Sequence, residues 1–112
     1  MKAKTGVEVL KAMEWLLTNI GWCQHFSYRD KSGACMYIPT TNAQYKELGS
    51  MCLLGAMAVV DTEPRHAWAA VNLILDVNEP DFHLAHFNDT PGRTKEQVIK
   101  LLHKAIKKGS KQ

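Results

Sequence analysis

Met51-Cys52-Leu53-Leu54-Gly55-Ala56-Met57-Ala58-Val59-Val60 is the longest apolar run in the chain. Ser50 stands before it as a cap, and the run predicts a helix over 51–60 that is apolar on every side. A surface helix shows a polar face, so a helix without one belongs at the centre of a fold. Gly55 costs about 1 kcal/mol relative to Ala in a helix interior. The compensation to expect there is close approach of a neighbouring backbone.

Working outward, Thr5 and Glu8 have capping-box spacing at the start of a first helix over 6–20. Leu10, Met13, Leu17 and Ile20 recur at three- and four-residue steps and predict its buried stripe. Gly21 can take the left-handed conformation that ends it. Two short arms rich in aromatic and β-branched residues follow, Gln24–Tyr28 and Ala34–Ile38, around the polar loop Arg29–Gly33. They predict a small β-hairpin closed by Pro39, with a helical turn near Ala43–Leu48 in the connection beyond.

Asp61 and Thr62, with Pro64 in the first turn, start a helix through Leu75 whose buried side is marked by Trp68, Val71 and Leu75. Asn78-Glu79-Pro80 breaks the chain, and Phe82–Phe87 reads as an extended or irregular crossing. Asn88-Asp89-Thr90-Pro91-Gly92 is dense in turn chemistry. Thr94 and Gln97 then form a second capping box for a last helix over 95–108, with Val98, Leu101, Leu102 and Ala105 inward and Gly109 as its stop. The expected class is α+β and mainly helical: four principal helices around a central apolar helix, one small β-hairpin, and a single domain over 1–112.

Composition bounds the function. A chain of 112 residues, 46% apolar and 22% charged, is globular and carries one core. Its longest apolar run is about half the length that crosses a bilayer, and Glu8, Lys11 and Glu14 interrupt the apolar stretch a signal peptide needs. Three cysteines, Cys23, Cys35 and Cys52, without Cys-x-x-Cys spacing favour reduced thiols, so the expected location is the cytoplasm, with no membrane partner. The net charge of +3 is uneven. From Lys95 onward six lysines face one acid, Glu96, for +5, leaving −2 on residues 1–94. Such an end suits an acidic surface or a phosphate backbone. It also suits a solvated helix end whose lysines complement the dipole.

Four candidate chemistries stand beside their structural alternatives. Asp89 and Arg93 are an exposed polar pair beside a helix start, where a ligand or partner could bind; as pure structure, the same block only turns the chain. Cys52, His86 and Asp89 fall in the chain order of thiol hydrolases and transferases, as nucleophile, base and orienting group, against an inert thiol in an apolar helix. Cys23 with His25 and His83 with His86 make two loose ligand pairs of no distinctive spacing, so no metal is assigned. No Gly-x-Gly-x-x-Gly or Walker loop is present, so no nucleotide cofactor is assigned either. The lysines at 100, 104, 107 and 108 offer a nucleic-acid alternative, but no aromatic residues accompany them.

Cys52-x-x-Gly55-Ala56, together with an aromatic residue before Asn88-Asp89 and then Arg93-Thr94, resembles an uncharacterised small domain of bacteriophages and bacteria, notably actinobacteria. The resemblance runs nearly the full length in order and rough spacing. Phe87 stands where that pattern expects Trp, and the hairpin region has no counterpart in it. It implies a small non-enzymatic phage or prophage accessory protein that binds and inhibits or redirects a host factor, such as an anti-CRISPR or other anti-defence protein. The expected contact residues are Arg29, Lys31, Asp89, Arg93, Lys100, Lys104, Lys107 and Lys108. The alternatives are the Cys52 hydrolase or transferase and the nucleic-acid binder.

Overall fold

The computed structural model describes residues 2–111. In chain order the elements are α1 (Gly6–Asn19), β1 (Tyr28–Asp30), α2 (Asn42–Glu47), β2 (Leu48–Met51), α3 (Leu53–Val59), α4 (Pro64–Asp76), α5 (Leu84–Asp89) and α6 (Lys95–Ser110). The chain is mainly helical with a two-stranded antiparallel sheet, the α+β class its patterning implies.

The centre is not where the longest apolar run suggests. Only Leu53–Val59 of that run is helical, and it buries one side, Leu53, Gly55 and Ala56, while Leu54 faces out. Met51 and Ser50 belong to β2, so Ser50 caps nothing, and Cys52 takes the cap position instead. The core is built chiefly where α1, α4 and α6 pack on one another. The amphipathic helices meet there because each brings a long stripe. α1 contributes Val9, Leu10, Met13 and Leu17; α6 contributes Val98, Leu101, Leu102 and Ala105. Full burial of one large apolar side chain stabilises by about 1.5–3 kcal/mol, so these stripes outweigh the short α3. A seven-residue helix has too little surface to organise a core, however apolar its sequence.

Both capping boxes behave as their spacing predicts at the hydroxyl end. Thr5 Oγ1 accepts from the Glu8 amide and Thr94 Oγ1 from the Gln97 amide, while the Gln97 carboxamide returns a bond from the Thr94 amide. The close approach expected at Gly55 is also present, since a Cβ there would lie 2.5 Å from the Ser27 carbonyl oxygen. α2 falls on the expected helical turn and carries its own capping box from Thr41 to Gln44.

Several local expectations are overturned. Of the expected first arm only Tyr28 is strand; it continues into Arg29 and Asp30, expected as loop. These pair with β2 in the register Tyr28–Met51, Arg29–Ser50 and Asp30–Leu48, while the second arm meets this strand through an isolated Arg29–Cys35 bridge. α4 turns its other side inward. Ala70, Leu73 and Ile74 are buried, while Trp68 is 67% exposed and Leu75 also faces out. Trp68 and Leu75 are two turns apart, so they keep helical spacing and cannot reveal alone which face meets the core. Thr62 does not cap α4; its hydroxyl donates to the Ala3 carbonyl and ties the N-terminal segment to the α3–α4 link. Residues 84–89, expected as irregular crossing or turn, are helical in α5. Gly109 lies within α6 rather than stopping it, and a Cβ there would collide with Val7 and Leu73.

Candidate functional site

The chemistry-bearing motifs converge where α5 crosses the segment between α1 and β1 and the start of α3. At the crossing sits Asn88, the one buried polar side chain among the described residues, 2% exposed. Its Oδ1 accepts from Trp22 Nε1 at 2.7 Å and from the Leu53 amide at 3.1 Å. Its Nδ2 donates to the Cys23 carbonyl at 3.1 Å and to Asp89 Oδ1 at 3.0 Å. An Asn carboxamide has two donors and two acceptor lone pairs, and all four are used. The Leu53 amide is one of the first-turn donors that α3 cannot satisfy internally, so α5 caps α3 through Asn88.

Neighbouring bonds complete the lock. Gln24 Nε2 donates to the Asn88 and Thr90 carbonyls at 3.0 and 2.9 Å. The His25 amide donates to Asp89 Oδ1 at 2.8 Å, and His25 is the one non-glycine residue with positive φ among the described residues, at 74°. That left-handed conformation is uncommon for a side chain with a Cβ, though His tolerates it better than most. Here it aims the amide at the carboxylate. The His25 amide first, and then the Asn88 carboxamide, hold the Asp89 carboxyl below the usual carboxylate range.

Beside this lock lies a small open cavity of about 190 Å³, bordered by His25, Ser27, Cys52, Asn88 and Asp89 among others. Cys52 is part-buried, its Sγ accepting from the Gly55 amide at 3.3 Å. Cys52 and Asp89 therefore share one cavity. His86 is exposed, does not border it, and has its ring 5.4 Å from that of His83. Among the described residues no hydrogen bond joins any two of Cys52, His86 and Asp89. His25 is the histidine at the cavity; the sequence marks it only as a loose ligand pair with Cys23 and gives no sign that it meets Cys52 and Asp89. Cys23 is buried and burial pushes its thiol pKa up, whereas Cys35 is exposed. No three His, Cys, Asp or Glu side chains among the described residues are grouped to hold a metal ion.

The expected contact residues fall into separate groups. Arg93, expected as half of an exposed polar pair, is part-buried and held by structure. Its Nε donates to the Phe87 carbonyl at 2.8 Å, and its guanidinium lies 3.8 Å from the centre of the Phe87 ring. That geometry is a cation–π contact. Arg93 also borders a groove with Lys100, Lys104, Asn78 and Gln97. Lys107 and Lys108 lie exposed in the last turn of α6. Arg29 stacks 4.5 Å over Phe26 and donates to the Gly33 carbonyl, while Lys31 is exposed at the loop tip.

A second surface was not anticipated. Phe26, Tyr37 and Ile38 are large, exposed and adjacent, and with Tyr28, Cys35 and Met36 they line an apolar groove of about 480 Å³. Tyr37 is 93% exposed. The aromatic content of these arms was visible in the sequence, but it was assigned to strand pairing rather than to a surface.

No helix among the described residues is long and apolar enough to cross a membrane. No curated protein and no solved structure matches the chain. A family model described as a family of unknown function, DUF6197, matches residues 1–108. With nearly the whole length matched, the chain belongs to DUF6197.

Proposed function

We propose that the chain is a non-enzymatic protein-binding module that inhibits or redirects a partner. The observation that carries this reading is the exposed groove of Phe26, Tyr37 and Ile38. Three large apolar side chains clustered in solvent mark an interaction surface more often than a bare monomer surface. Aromatic residues and Arg are also the side chains that dominate binding energy at protein interfaces, and Arg29 stands at the rim of this groove. A phage or prophage accessory role in the host cytoplasm, directed at a host factor such as a CRISPR-type or other defence complex, suits a small module of this kind. Photo-crosslinking from position 37 in host lysate is expected to capture one stoichiometric protein, lost on Phe26→Ser with Ile38→Ser. Capture of no partner, or capture indifferent to both substitutions, would sink the proposal.

A second reading has one observation in its favour: Cys52, His25 and Asp89 border a common cavity. A small cysteine-dependent hydrolase or transferase would use Cys52 as nucleophile there, with His25 rather than His86 beside it. Alkylation of the folded protein with mass mapping tests it. If Cys35 is modified while Cys52 stays intact until denaturant is added, the nucleophile is lost and so is the reading.

A further inference from the structure

We propose that the outer strip of α6, formed by Arg93, Lys100, Lys104 and Lys107, docks a carboxylate-rich segment of the partner protein. This rests on the protein-binding reading and narrows the partner's chemistry.

At about 100° per residue the lysines at 100, 104 and 107 fall within roughly 60° of the helix circumference. Arg93 joins them because it lines the same groove as Lys100 and Lys104. The ion pairs among the described residues are Arg65–Glu63, His66–Glu63 and His103–Glu14, so these four cations have no carboxylate within 4 Å. Dipole compensation accounts for Lys107 in the last turn but not for Lys100 and Lys104 in the middle of the helix. Behind these cations the groove is closed by Phe87, whose ring Arg93 covers, and by the nearly buried Leu101, with amide groups from Asn78 and Gln97 at its edge. A peptide brings carboxylates for the cations and backbone amides and carbonyls for those carboxamides.

A nucleic-acid backbone fits less well. The strip is one cation wide, Glu96 lies in line with it one turn before Lys100, and Glu14 of α1 bonds to His103 beside it at 2.6 Å. A short peptide can seat on Lys100, Lys104 and Lys107 beyond Glu96, whereas a polyphosphate tracking the strip towards Arg93 would pass over its carboxylate. The strip offers no free aromatic face for base stacking, since Arg93 covers the ring of Phe87.

The test is a titration of the full chain with a fluorescein-labelled peptide rich in glutamate and leucine. Saturable binding is expected, weakened at least about tenfold by Lys100→Glu with Lys104→Glu. Lys2→Glu with Lys46→Glu changes the net charge equally at exposed sites off α6 and is expected to stay within about twofold. Absence of saturable binding, equal loss in both double variants, or tighter binding of an oligothymidylate of equal length would overturn the proposal. The peptide titration reads the strip and the position-37 capture reads the groove, so failure of one is distinguishable from failure of the other.

Discussion

The packing of α1, α4 and α6 and the crossing at Asn88 are both buried, yet they are held by different forces. The three long helices meet through stripes of Leu, Met, Ile, Val and Ala, a non-directional attraction spread over many side chains. The crossing depends on one carboxamide whose four bonds reach Trp22, Cys23, Leu53 and Asp89. A core of the first kind tolerates the loss of part of a side chain at a graded cost. A polar lock of the second kind strands several groups at once when its centre is removed.

The largest expected effect is therefore Asn88→Ala. It leaves the Trp22 indole, the Leu53 amide and the Cys23 carbonyl without partners, at about 1–3 kcal/mol for each buried orphan. A total near 4 kcal/mol in urea denaturation is expected, with amide exchange accelerating first around β1, α3 and α5 while α1 and α6 stay protected. Uniform loss of protection across all six helices would erase the proposed distinction. Leu102→Ala, fully buried in the helical core, comes next at about 2–4 kcal/mol. It should lower protection across α1, α4 and α6 together.

Tyr28→Phe sharpens the boundary between the two regions. Burial pushes the Tyr28 pKa up to about 12 from its ordinary 10.0, and its hydroxyl donates to the Gly55 carbonyl at 3.0 Å. A folded-state value above the unfolded one means stability that is complete below pH 10 and is lost as pH rises towards 12. The Phe variant should cost about 1 kcal/mol at neutral pH and lose stability less steeply between those limits. An alkaline profile parallel to the parent's would count against this account.

The smallest effect is at Asp89, whose carboxyl is held low by the His25 amide and then by Asn88. Its folded pKa lies below the ordinary 3.8, so its contribution is present above that value and declines as pH falls through the folded one. Asp89→Asn keeps an oxygen to accept both bonds. It should therefore change little at pH 7 and flatten the acid limb of stability. A steeper acid limb in the variant would reverse the assignment.

Legibility divided along the same line. The stripes of α1 and α6 and the Thr94–Gln97 box were readable because their partners lie three or four residues away. α4 was readable as a helix but not for its inner face, because Trp68 with Leu75 and Ala70 with Leu73 and Ile74 are both apolar groups at helical spacing. Asn88 was legible as a turn former and not as a lock, since Trp22 and Leu53 are its partners at separations of 66 and 35 residues. Asp89 finds its main partner across the fold, in the His25 amide 64 residues away, whereas Arg93 is held on Phe87 only 6 residues back.

The amino-acid sequence by itself determined the helical class, the Thr94–Gln97 capping box, the Thr5 cap of α1 and the two principal buried stripes, because these follow from short-range periodicity and backbone donors nearby. Only the tertiary structure decided that the most apolar segment would be a strand end and a short helix at the margin of the core, burying Met51, Leu53 and Ala56 but not Leu54. It also decided that His25 rather than His86 would share a cavity with Cys52, and that Phe26, Tyr37 and Ile38 would remain in solvent. Those outcomes depend on which distant surfaces meet, and apolar character alone does not say which face of a segment will find a partner.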